Sequence, residues 1–81
     1  MLDKIYCDAV IEAFEKRIYA PCYCYINARD VLILEAYPDG QVFRFALPDV
    51  FMRIKYGLTA EMVAQSALMS YRTWIISSYI R

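Results

Sequence analysis

The sequence contains no histidine. This removes the side chain most often used as a general base near neutral pH, and the commonest metal ligand. Gly40 and Gly57 are its two glycines and lie far apart, so no glycine-rich phosphate loop can be built. No segment gives the unbroken apolar run of about 20 residues that a membrane-spanning helix needs. Met1-Leu2-Asp3-Lys4 leads into an amphipathic pattern, so we expect no signal peptide. The three cysteines are an odd number, and none is spaced Cys-x-x-Cys. Cys22 and Cys24 share a strand face, too close along one strand for an ordinary bridge. Buried thiols in a reducing compartment follow, and the cytoplasm is the expected location. Glu35, on the predicted core face, reads as an edge carboxylate or one paired with Lys or Arg. Asp8 and Glu12 read as a solvated i,i+4 pair. These pieces assemble no catalytic set, and we expect no enzyme, no cofactor and no metal site.

Net charge is also absent. Lys+Arg and Asp+Glu are equal at 9 each. No strong whole-molecule field is expected at a pI near 6.1. The charges are unevenly placed. Residues 1–40 hold seven acids and four bases, and residues 41–81 hold two acids and five bases. The second half is mildly basic but has no basic patch.

What the chain has in plenty is apolar and aromatic side chains. Hydrophobic residues make up 60%, which argues against disorder, and eight tyrosines lead the aromatic set. Its 81 residues form one domain, which buries roughly 60–65% of its extended surface. The organising stretch is 22–47. Cys22 to Asn27, Val31 to Tyr37 and Val42 to Leu47 read as three strands. Ala28-Arg29 fits a two-residue hairpin loop, and Pro38-Asp39-Gly40 a type I turn with Gly40 as a bulge.

These registers predict two faces. Cys22, Cys24, Ile26, Val31, Ile33, Glu35, Phe43, Phe45 and Leu47 form the expected core face. Tyr23, Tyr25, Leu32, Leu34, Ala36, Val42, Arg44 and Ala46 form the other. The second face is amphipathic, and something is expected to cover it, either a flanking helix or a partner chain.

Helical patterns flank the strands. Leu2, Ile5, Tyr6, Ala9, Val10, Ala13 and Phe14 form a stripe expected to lie across Phe43, Phe45 and Ile33. That helix should end near Ile18 to Ala20, before Pro21. Pro48 and Asp49 open a short helix that Gly57 stops. Thr59 is a candidate N-cap for the last segment. There Val63, Ala64, Ala67, Leu68, Tyr71, Trp74, Ile75 and Ser78 form one stripe, and Met62, Met69, Ile76 and Ile80 a second. Periodicity leaves open whether this is one long helix or two broken near Leu68-Met69-Ser70. The fold expected is therefore α+β: a helix, a three-stranded antiparallel sheet, a short helix, then a long or broken C-terminal helix.

Val50 to Trp74 resembles the helix-turn-helix of small transcription regulators, especially the response-regulator output type. Gly57-Leu58-Thr59 matches the turn before its first helix, Val63-Ala64 and Ala67 the packing positions, and Met69-Ser70 the turn and cap of the second. Thr73-Trp74 matches a phosphate-side threonine and its buried neighbour. The resemblance implies that Ser70, Tyr71, Arg72, Thr73, Ile76 and Ser77 lie nearest DNA, with Arg72 reaching a phosphate or a guanine edge. It covers about a third of the chain.

Two functions of different kinds follow. The leading one is a small protein-interaction module, an inhibitor, adaptor or accessory factor that acts by binding as a homodimer or with a protein partner. Its apolar anchors would be the Tyr23 and Tyr25 sheet face or the Met62, Met69, Ile76 and Ile80 stripe, with Arg44 and Arg72 giving orientation at the edges. The alternative is a DNA-binding regulator. It ranks second because DNA affinity depends on phosphate neutralisation, and Arg72 is the one base between residues 56 and 80.

Overall fold

A computed structural model describes the backbone of residues 2–80 and side chains over 3–78. The order is α1 (Leu2–Ile18), β1 (Cys22–Ile26), β2 (Leu32–Ala36), a 3-10 turn (Pro38–Gly40), β3 (Phe43–Leu47), α2 (Val50–Lys55) and α3 (Ala60–Ile80). This is the α+β layout expected. The strands form one antiparallel sheet in the order β1-β2-β3.

The middle strand is turned over relative to the sequence reading. Ile26 pairs with Leu32, Cys24 with Leu34 and Cys22 with Ala36. The inner face therefore carries Leu32, Leu34 and Ala36, while Ile33 and Glu35 point outward. The cause lies in the first hairpin, whose loop is one residue longer than expected. Asp30 N donates to Asn27 O at 3.1 Å, and Asn27 N donates to Val31 O at 3.0 Å. Asp30 takes a left-handed φ of 59°, as the third residue of a three-residue loop does. Asn27 Oδ1 braces this loop, accepting from Arg29 N at 2.9 Å and Val31 N at 3.1 Å. One added residue exchanges every side chain of the next strand between faces.

The second turn restores the expected register of β3. Asp39 and Gly40 both take positive φ, 52° and 77°, and Gln41 N donates to Pro38 O at 3.0 Å. That is the Asp-Gly pair of a type I′ turn, in place of the expected type I turn with a bulge.

α1 and α3 pack together on the inner face. Phe14 is fully buried and stacks on Phe43 at 6.2 Å, with Tyr71 edge-on at 5.8 Å. Tyr71 also meets the edge of Phe43 at 5.1 Å. A phenylalanine buried to this degree contributes about 3–5 kcal/mol relative to alanine. The α1 stripe is rotated from the expected one. Cys7, Val10, Ala13 and Phe14 are buried, whereas Ile5 and Ala9 are exposed. Phe43 and Phe45 join the core as expected. Ile33 does not, because its strand face is reversed.

α2 ends in a Schellman motif, with Leu58 N on Arg53 O at 2.9 Å and Gly57 N on Ile54 O at 3.0 Å. Gly57, at φ 103°, is the expected stop. Thr59 Oγ1 then accepts from Met62 N at 3.2 Å and caps α3. α3 runs unbroken from Ala60 to Ile80. No glycine or proline interrupts it, and Leu68 and Met69 are good helix formers.

Candidate functional site

Both long helices lie on the inner side of the sheet, and its outer face carries the other candidate residues. That face is built from register. Tyr23 lies across from Glu35, Tyr25 from Ile33, Glu35 from Arg44 and Ile33 from Ala46. Tyr23 is 62% exposed and Tyr25 44%, whereas Ile33 is only 3% exposed although it lies outside the inner core cluster. Ile33 is the dry centre of the face, set between Tyr25 and Ala46, and the tyrosines stand at its rim.

A polar network fixes one side of this face. Arg44 Nε lies 3.8 Å from Glu35 Oε2, and the Tyr37 hydroxyl donates to Glu35 Oε1 at 3.1 Å. Tyr23 meets the Tyr37 ring edge-on at 5.8 Å. Partial burial and the bond to Glu35 hold the Tyr37 phenol above its usual pKa. Glu35 is thus paired with a base, as one sequence expectation had it, but on the outer face. The Glu35–Arg44 pair is solvated and contributes about 0–1 kcal/mol to stability. Its greater effect is on geometry, since it orients Arg44 beside the tyrosines.

The other expected anchors lie elsewhere. Met62, Met69 and Ile76 are exposed at 49%, 70% and 58%. At about 100° per residue they occupy the side of α3 opposite Val63, Ala67 and Tyr71. That side faces away from the sheet, so the predicted interface residues divide between opposite sides of the molecule. Ile80 ends α3, and its side chain lies outside the described residues.

One apolar surface escaped the sequence reading. Asp3, Ile5, Tyr6, Ala9, Phe51 and Ile54 line a groove of about 350 Å³ between α1 and α2. Ile5 belongs to the α1 stripe expected to face the sheet, but it is 66% exposed and lies in this groove. Apolar residues cover more than half of the α1 circumference, and a single core contact cannot bury so wide a stripe. That width was the available signal.

The residues implied by the helix-turn-helix resemblance do not form that motif's second helix as a separate element. The turn placed at Met69-Ser70 lies within α3. Tyr71 is 6% exposed and belongs to the aromatic core with Phe14, Phe43 and Trp74, so it faces inward and not toward a groove of DNA. Ser70, Arg72, Thr73, Ile76 and Ser77 are exposed.

No disulfide joins the three thiols. Burial raises Cys7, Cys22 and Cys24 above the usual thiol pKa, Cys22 to about 11. Among the described residues, no group of three or more His, Cys, Asp or Glu could hold a metal ion. No described helix is long and apolar enough to cross a membrane. In comparisons with known proteins, no family model, curated protein or solved structure matches the chain.

Proposed function

We propose that the chain is a small protein-interaction module, an inhibitor, adaptor or accessory factor that acts by binding and works as a homodimer. The observation that carries the binding role is the pair of exposed tyrosines on the outer sheet face. Two exposed tyrosines stand beside a buried isoleucine and an oriented arginine, a composition suited to a binding hot spot. The unpaired thiols support a reducing setting, the cytoplasm.

The test is photocrosslinking in cells, with a benzophenone side chain replacing Tyr25 and, as a control, exposed Glu12. Discrete adducts from position 25 and none from position 12 are expected. A Tyr25 probe that gives no adduct with any protein would refute use of this face.

A further inference from the structure

We propose that Cys7 and Cys24 form a redox modification site, a dithiol that a small neutral disulfide oxidises to an internal bridge between α1 and β1. The site stands apart from the outer sheet face, and the bridge forms whether or not that face binds a partner.

The two thiols come from different elements. Cys7 lies on the buried side of α1 with Val10, Ala13 and Phe14. Cys24 lies on the inner face of β1, across from Leu34. α1 packs against that strand, and the Cys24 thiol donates a hydrogen bond to the Cys7 sulfur. Two thiols in such contact converge from opposite sides, as a disulfide requires. Cys22 and Cys24, two residues apart on one strand face, do not converge. Cys22 is also engaged elsewhere, since its Sγ donates to Ala20 O at 3.2 Å.

The pair can be reached from outside. Both thiols line one opening of about 220 Å³, with Tyr25 and the α1 residues Asp3, Lys4 and Asp8 around it. Cys24 is only partly buried, whereas Cys7 is 4% exposed, so a reagent has to enter by this opening. Among the described residues at the mouth, two carboxylates face one ammonium. That balance disfavours an anionic oxidant and suits a neutral one.

The chemistry is thiol–disulfide exchange. The hydrogen bond from Cys24 makes Cys7 the first of the two to ionise. The Cys7 thiolate attacks one sulfur of the small disulfide, whose S–S bond breaks. A mixed disulfide forms and one small thiolate leaves. Cys24 then gives up its proton to that thiolate and attacks the Cys7 sulfur. The second small thiolate leaves and takes the proton that Cys7 released to solvent. The protein dithiol is oxidised, and the small disulfide is reduced to two thiols.

Burial keeps both protein thiols protonated near neutral pH, so exchange is slow. It also leaves no thiolate to stabilise the reduced form, which is the feature that makes catalytic dithiols strong oxidants. The bridge is therefore a lasting one. In a reducing compartment the dithiol is the resting form, and the bridge marks a change to oxidising conditions.

The test is incubation of the folded full chain with bis(2-hydroxyethyl) disulfide, followed by mass spectrometry. A product lighter by two hydrogens is expected. Chymotryptic cleavage after Tyr23 separates Cys22 from Cys24 and should leave Cys24 joined to the peptide that carries Cys7. Cys22→Ala should bridge like the parent chain, and Cys24→Ala should form no internal bridge. Oxidation should raise the thermal midpoint of the parent chain by roughly 10 °C or more, because it closes the loop between residues 7 and 24, and reduction should reverse the rise. A folded parent chain that stays reduced, gains only mixed disulfides, or bridges through Cys22 overturns the inference. A bridge that lowers the midpoint also overturns it, because thiols already in contact join without distorting the fold.

Discussion

Asp30 carries more of the architecture than any core residue. By adopting positive φ it lengthens the first hairpin loop by one residue. That places Leu32 and Leu34 on the inner face and Ile33 and Glu35 on the outer face with Tyr23, Tyr25 and Arg44. The Asn27 side chain accepts two backbone bonds across the same loop and gives Asp30 little choice. Cys22 offers a test of burial at this scale. Its environment, mainly burial with Glu15 nearby, raises the thiol from 9.0 to about 11. The unfolded thiol ionises first, so this contribution to stability is complete below pH 9 and lost as pH rises toward 11. The loss is on the order of 2–3 kcal/mol. Urea unfolding across that range should show a smaller alkaline decline in Cys22→Ala than in the parent chain.

At the level of elements, α3 decides most. Its unbroken course removes the turn that a helix-turn-helix needs at Met69-Ser70 and makes one side of a 21-residue helix available as a continuous surface. A proline at position 70 separates these arrangements. Inside a helix it removes a backbone hydrogen bond and clashes with the preceding turn, at about 3 kcal/mol or more. Ser70→Pro should therefore lower the urea midpoint by an amount corresponding to that loss. A chain that tolerated it with little change would place a turn there. α1 teaches a related lesson. Its apolar residues exceed what the sheet and α3 can cover, and the remainder, Ile5 with Phe51 from α2, lines the groove between α1 and α2.

For the whole molecule, shape is the governing property. Extents of 39 × 21 × 18 Å describe an elongated two-layer body, with one sheet under two helices. Among the described residues, such a body has two broad outer surfaces, one on the helix side and one on the sheet side. In the homodimer proposed above, association and folding are linked, and the thermal midpoint should rise with protein concentration. Scanning calorimetry over a hundredfold concentration range should show this. A midpoint independent of concentration would indicate a monomer that melts alone.

By itself the sequence determined the elements and their order. Periodicity along α1 and α3, the proline and glycine punctuation at Pro21, Pro48 and Gly57, and the cap at Thr59 are local effects, legible within a few residues. It also picked out Tyr23, Tyr25, Met62, Met69 and Ile76 as apolar residues on faces other than the core, and the structure leaves each of them exposed. Tertiary structure alone decided which face of β2 points inward, because strand alternation is symmetric and one loop residue reverses it. It also decided that α3 continues through Ser70, that Tyr71 lies in the core, and that the tyrosine face and the methionine line point in opposite directions. Those outcomes depend on which elements pack together, and contacts between residues distant in sequence leave no periodic trace along the chain.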